Sequence, residues 1–115
     1  MYVGVIGGDP SNEKHFKLVD DTLEALCEEK DIYLFNMFSA RIEGIERVRP
    51  SLAQQYAAFR GLPCYCKEYK TPDALIKGIC EKVDYLIILN DGSQAVKRCF
   101  MSYKQTGKHG SMIDV

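Results

Sequence analysis

The chain has 115 residues, 46% of them apolar and 27% charged, with 15 basic residues against 16 acidic ones. This is the size and balance of one globular domain, long enough to bury a core without a disulfide or a structural metal, and not that of a disordered segment. No excess of positive charge is present, so no nucleic-acid partner is expected.

Apolar runs and turn signals alternate along the chain. Tyr2 to Ile6 is a short β-rich run that ends in Gly7-Gly8-Asp9-Pro10. Asn12 is placed to cap a helix that starts near Glu13 and carries Phe16, Val19, Leu23, Leu26 and Cys27 at helical spacing. A second strand is expected from Ile32 to Met37. Pro50-Ser51 then opens a helix with Leu52, Tyr56 and Phe59 on one face and Gly61 as its stop. Pro63 leads into a short strand, Cys64 to Cys66, and Thr71-Pro72 starts the next helix, with Leu75, Ile76, Ile79 and Cys80 as its buried stripe. Tyr85-Leu86-Ile87-Ile88-Leu89 is the most hydrophobic stretch, suited to a central strand covered on both faces. Asn90-Asp91-Gly92-Ser93 follows, then a helix bearing Val96, Cys99, Phe100 and Tyr103 that stops by Gly107. Ser111 to Val115 is the last strand.

Strands that alternate with helices imply an α/β fold, a small doubly wound parallel sheet with helices on both faces. Right-handed crossovers give the strand order 3-2-1-4-5. The order reverses between the first and fourth strands, and ligands of such sheets sit there, outside the carboxyl ends of the strands. The expected ligand-binding residues are therefore Gly7, Gly8, Asp9, Ser11 and Asn12 after the first strand and Asn90, Asp91, Gly92 and Ser93 after the fourth. Both loops run into a helix N-terminus, whose free N–H groups and dipole favour an anion. Ser39 and Arg41 join the set from the stretch Phe38 to Arg49, which is longer than the ~2–6 residues usual between a strand and a helix. Arg41, Arg47 and Arg49 suit bidentate phosphate contacts, and Glu43 and Glu46 suit surface ion pairs with them.

The five cysteines, Cys27, Cys64, Cys66, Cys80 and Cys99, are odd in number and fall mostly in apolar patterns, as small buried hydrophobes do in a reducing compartment. Cys64 and Cys66 would share one face of a strand. The two histidines, His15 and His109, lie far apart, and no second cysteine pair completes a tetrahedral ligand set. No metal, cofactor or intramolecular disulfide is expected. No run approaches the ~18 apolar residues of a membrane span, and Met1-Tyr2-Val3 opens without the basic start of a secretion signal. A cytoplasmic location and no membrane partner are the expectation. Tyr56 and Phe59, large for a short helix facing solvent, point to a homo-oligomer completed by the Arg-containing stretch.

The stretch from Phe38-Ser39 through Leu52-Ala53-Gln54-Gln55-Tyr56-Ala57-Ala58-Phe59-Arg60-Gly61-Leu62-Pro63 resembles the SLOG superfamily of Rossmann-like nucleotide-binding domains. Val5-Ile6-Gly7-Gly8, Leu89-Asn90-Asp91-Gly92-Ser93 and Lys104-Gln105-Thr106-Gly107-Lys108 are similar to the matching family segments. The resemblance implies a Rossmann-like fold and binding of nucleotides or nucleotide-derived signals. Related branches are phosphoribohydrolases, which cleave a base from a nucleoside monophosphate, and DNA-processing proteins. The chain departs from the family where Phe38-Ser39-Ala40 lacks the glycines of the second-strand turn and where Arg49-Pro50-Ser51 stands for Gly-Ala-Asp. The hydrolase branch carries an acid near the position of Lys97, which weighs against hydrolysis.

The sequence thus supports a noncatalytic binder of a small nucleotide or nucleotide-derived phosphate ligand, acting as a sensor or a sequestering protein. The alternative is an N-glycosidic hydrolase or transferase, of phosphoribohydrolase or deoxyribosyltransferase type. Glu43, Glu46 or Asp91 would then supply the carboxylate that stabilises an oxocarbenium-like centre. A third reading is an interaction module whose pocket is vestigial.

Overall fold

The structure is a computed structural model that describes residues 1–39, of which 37–39 by backbone alone, and residues 51–115. Five strands and four helices alternate: β1 (Tyr2–Gly7), α1 (Glu13–Glu29), β2 (Tyr33–Ser39), α2 (Leu52–Arg60), β3 (Cys64–Tyr69), α3 (Pro72–Lys82), β4 (Tyr85–Asn90), α4 (Gln94–Lys104) and β5 (His109–Asp114). The strands form one all-parallel sheet in the order β3-β2-β1-β4-β5. The fold is Rossmann-like α/β, with the strand order read from the sequence.

Local chemistry starts each helix. The Asn12 side chain accepts from the Lys14 N–H, and Thr71, ahead of Pro72, accepts from the Ala74 N–H. Ser51 and Gln54 cap α2 reciprocally: the Ser51 hydroxyl accepts from the Gln54 N–H, and the Gln54 carboxamide accepts from the Ser51 N–H. Gly61 ends α2 in the left-handed conformation, with φ at 67°.

The residues of β4 alternate between two cores. Ile87 and Leu89 meet Val19 and Leu23 of α1 and Leu52, Ala53, Tyr56 and Ala57 of α2 on one face. Leu86 and Ile88 meet Ile79 of α3 and Val96, Cys99 and Tyr103 of α4 on the other. The four apolar residues of β4 are fully buried, as a central parallel strand requires.

Two expectations need correction. Tyr56 does not face solvent: it is fully buried, and its hydroxyl reaches Cys27 Sγ at 3.5 Å and accepts from Arg60 Nε at 3.2 Å. Of the two aromatics assigned to an interface, only Phe59 is exposed (63%), with its ring edge-to-face on Phe16. The third strand also runs three residues beyond Cys66, to Tyr69. Its added residues Lys67 and Glu68 are exposed on the sheet edge, so hydrophobic patterning gives no sign of them, while their backbone pairs with Met37 and Phe38 of β2.

Tyr103 fastens α4 to the neighbouring elements from inside the core. Its buried hydroxyl donates to the His109 carbonyl at 2.8 Å, and the Val83 carbonyl lies 3.4 Å away. Burial, and after it the charge of Asp84, pushes this phenol up to about 12. A folded-state value above the unfolded one means that the folded chain holds the proton more tightly. Stability is then fully present below pH ~10 and lost as pH rises from ~10 to ~12. The urea midpoint is expected to hold at pH 9 and to drop at pH 11.5, with a smaller drop in Tyr103→Phe. An equal drop in both proteins would place the alkaline sensitivity elsewhere.

Candidate functional site

At the carboxyl end of the sheet, β1 and β4 lie side by side, with Gly7 paired to Leu89. The chain leaves β1 towards α1 on one face and β4 towards α4 on the other. The loops of residues 8–12 and 91–93 therefore both follow the reversal of strand order, each leading into a capped helix.

In the first loop, Asp9 organises the turn. Its Oδ1 accepts from the Ser11 N–H at 2.9 Å and from the Ser11 hydroxyl at 2.7 Å. The Asp9 N–H donates to Nδ1 of the half-buried His15 at 2.9 Å, and Asn12 N donates to the Asp9 carbonyl at 3.0 Å. Gln55 of α2 reaches across and donates from Nε2 to the Pro10 carbonyl at 2.8 Å, so α2 is fastened to this loop.

The two glycines sit at φ of 80° each, a region that strains residues with a Cβ. A Cβ on Gly7 would stand 2.4 Å from the Leu89 carbonyl oxygen. One on Gly8 would stand 2.5 Å from Leu89 Cδ1 and 2.8 Å from Leu52 Cδ1. The close approach that these glycines permit is thus an approach of β1 to β4 and α2.

In the second loop, Asn90 Oδ1 accepts from the Gly92 N–H at 3.0 Å, and Asn90 Nδ2 donates to Asp114 Oδ1 at 2.9 Å. Asp91 Oδ1 accepts from the Ser93 N–H at 2.9 Å. Ser93 is the N-cap of α4, its Oγ accepting from the Val96 N–H at 3.3 Å. The Ser93 N–H, and after it the Ser93 hydroxyl, hold the Asp91 carboxyl below its ordinary value. Gly92, at φ 90°, has open space where a Cβ would be.

The structure thus brings Gly7, Gly8, Asp9, Ser11 and Asn12 to the same end of the sheet as Asn90, Asp91, Gly92 and Ser93. Ser39 ends β2, opposite Tyr69 of β3, and is described by its backbone alone. Arg41, with Glu43, Glu46, Arg47 and Arg49, lies outside the described residues. Sequence reasoning missed three supporting residues: His15, Gln55 and Asp114. His15 has a readable signal, being three residues beyond the Asn12 cap, where the first helical turn points back at the loop. Gln55 and Asp114 act across the fold, and no spacing in the sequence announces them.

Electrostatics qualifies the anion reading. Asp9 precedes α1 and Asp91 precedes α4, so each helix start has a carboxylate of its own beside its positive end. Asp91 in particular already takes the Ser93 N–H that a phosphate oxygen would want. Acceptor oxygens lead among the described residues here, and acceptors bind hydroxyl and N–H donors.

Two concavities among the described residues lie at the other end of the sheet. One, of about 320 Å³, is lined by Cys27, Lys30, Ile32, Tyr33, Leu62 and other residues; its neighbour, of about 300 Å³, shares Cys27 and Leu62 and adds Glu24, Glu28 and Arg60. Both sit where α1 and α2 end and β2 begins. Neither receives a helix N-terminus, and the polar side chains that line them are mostly exposed.

No family model, no curated protein and no solved structure matches the chain. Among the described residues, no helix is long and apolar enough to cross a membrane.

Proposed function

We propose that the chain binds a small nucleotide or nucleotide-derived ligand at the switch point between β1 and β4, as a sensor or sequestering protein. The observation that carries this reading is the strand order, which sets two polar, glycine-containing loops beside each other on two capped helix starts. The carboxylates refine it: Asp9 and Asp91 suit the ribose hydroxyls or base N–H groups of the ligand, and they keep its phosphate away from Ser93. The resemblance to SLOG domains agrees with a nucleotide, and self-association stays part of the proposal with Phe59 as its apolar contact.

The test is a panel of purine and pyrimidine nucleosides and nucleotides, read by thermal shift and then by calorimetry. Nucleosides are expected to retain much of the affinity of the nucleotides. Asp91→Asn removes an acceptor with a full charge, and a hydrogen bond to a charged group is worth ~1.5–3 kcal/mol, so affinity is expected to fall roughly tenfold or more. Ser93→Ala is expected to lower stability by ~1 kcal/mol, the usual loss for an N-cap, and to leave affinity unchanged. A panel without a single binder would sink the reading. A loss of affinity in Ser93→Ala would put the phosphate back on α4.

One observation favours the second reading, an N-glycosidic hydrolase or transferase. The Ser93 N–H fixes Asp91 Oδ1 at 2.9 Å in the loop after β4, and a fixed carboxylate is what a developing oxocarbenium ion needs. Release of free base from nucleoside monophosphates, followed by chromatography and abolished in Asp91→Asn, would select that reading over simple binding.

A further inference from the structure

Three of the five thiols are held protonated by their surroundings. Burial, and after it the neighbouring Cys66 thiol, pushes Cys64 up to about 11; burial takes Cys99 to about 11 as well and raises Cys80. Thiols of that kind are inert, because the thiolate is the nucleophile. Cys27, half-buried on α1, has a different neighbour. Its sulfur lies 3.5 Å from the Tyr56 hydroxyl, whose oxygen accepts from Arg60 Nε. Once ionised, the sulfur can only accept, so Tyr56 turns its O–H to it. Burial, and after it the Cys27 contact, push that phenol up to about 12, so it keeps its proton while a thiol loses one. Arg60, Tyr56 and Cys27 thus form a donor chain that ends on the sulfur.

The same thiol lines both concavities at the amino end of the sheet, of about 320 and 300 Å³, and stands with Leu62 where they meet. One concavity carries Lys30 and Asp31. The other carries Arg60 with Glu24 and Glu28, which share a face of α1 with Cys27. Each side therefore offers a cation and a carboxylate, with one sulfur between the two sides. The complement is a molecule with an ammonium and a carboxylate at each end and sulfur in the middle. The disulfide of an amino-acid thiol has that form.

We propose that Cys27 is a site of S-thiolation by the disulfide of an amino-acid thiol, seated across the two concavities. The Cys27 thiolate attacks one sulfur of the bound disulfide in line. A new sulfur–sulfur bond forms at Cys27 Sγ, the disulfide bond of the ligand breaks, and its electron pair leaves on the departing sulfur. That thiolate takes up the proton that Cys27 gave up. Cys27 is oxidised and the departing half reduced, so the bound disulfide is the one oxidant required, and a free thiol reverses the step. The site lies at the opposite end of the sheet from the switch point, and neither reading depends on the other.

The experiment exposes the reduced, folded protein to cystine and, separately, to cystamine and to the uncharged bis(2-hydroxyethyl) disulfide. Peptide mass spectrometry follows each cysteine, with the exposed Cys66 as internal reference. With cystine, Cys27 is expected to react about tenfold faster than Cys66 or more, the low end of what a charged cleft gives. That preference is expected to fall several-fold with the other two disulfides. Arg60→Ala combined with Lys30→Ala is expected to lower the preference for cystine to the level of the uncharged compound. Tyr56→Phe, which removes the donor to the sulfur, is expected to slow Cys27 with all three. Circular dichroism checks that each variant is folded. A Cys27 rate at or below that of Cys66, or a preference as high with cystamine or the uncharged disulfide as with cystine, would overturn the assignment.

Discussion

Gly7→Ala is expected to cost more than ~3 kcal/mol of stability. Two effects add. At φ 80° any Cβ strains the backbone, which by itself costs ~1–3 kcal/mol. The new methyl would also stand 2.4 Å from the Leu89 carbonyl oxygen. That oxygen belongs to the backbone of the neighbouring strand, so no rotamer change relieves the clash, and β1 has to part from β4. Gly92→Ala supplies the control, because Gly92 shares the positive φ, at 90°, but has nothing within 4 Å of its added methyl. It is expected to lose only ~1 kcal/mol. Urea unfolding of both variants separates strain from collision. Equal losses would mean that the β1–β4 contact yields more easily than its geometry indicates.

Tyr56→Ala is expected to lose ~3–5 kcal/mol, the range for removing a large buried aromatic ring. The ring is fully buried between α1 and α2, tilted against Phe16 with centroids 6.2 Å apart. Tyr56→Phe keeps the ring and removes the hydroxyl that Arg60 Nε and Cys27 Sγ reach. Arg60 is exposed and can turn to water, so this variant is expected to lose only ~1 kcal/mol. Chemical denaturation of the pair measures how much of the α2 anchor is packing and how much is polar. A loss in Tyr56→Phe as large as in Tyr56→Ala would make the hydroxyl the anchor.

The architecture was legible because the local signals and the global ones agree. The run Tyr85 to Leu89 could only be a strand covered on both faces, and the caps at Asn12, Thr71 and Ser93 mark where helices begin. Positions whose meaning depends on a distant neighbour were less legible. Tyr56 reads as a surface aromatic on a short helix until Cys27 and Phe16 of α1 are seen beside it. Lys67 and Glu68 have no strand pattern, since the β2 backbone alone draws them into the sheet. Gly7 and Gly8 announce a tight place after a strand, but not what crowds it; Leu89 and Leu52 do. Asp9 and Asp91 were visible as carboxylates in a site expected to favour anions. That each is engaged by a serine of its own loop follows from turn geometry rather than composition.

The central pairing of the sheet joins Val3 to Tyr85, a separation of most of the chain. On the ribosome, therefore, β1 can meet β2 after some thirty residues, Tyr2 finding Tyr33, but its second flank stays open until β4 has been made. During that interval the nascent polypeptide offers a bare strand edge beside Val3 and Val5, the kind of edge that recruits wrong partners. Pairing of β1 with β4 is a long-range closure, slow by topology, and it is this closure that sets the loops after β1 and β4 side by side.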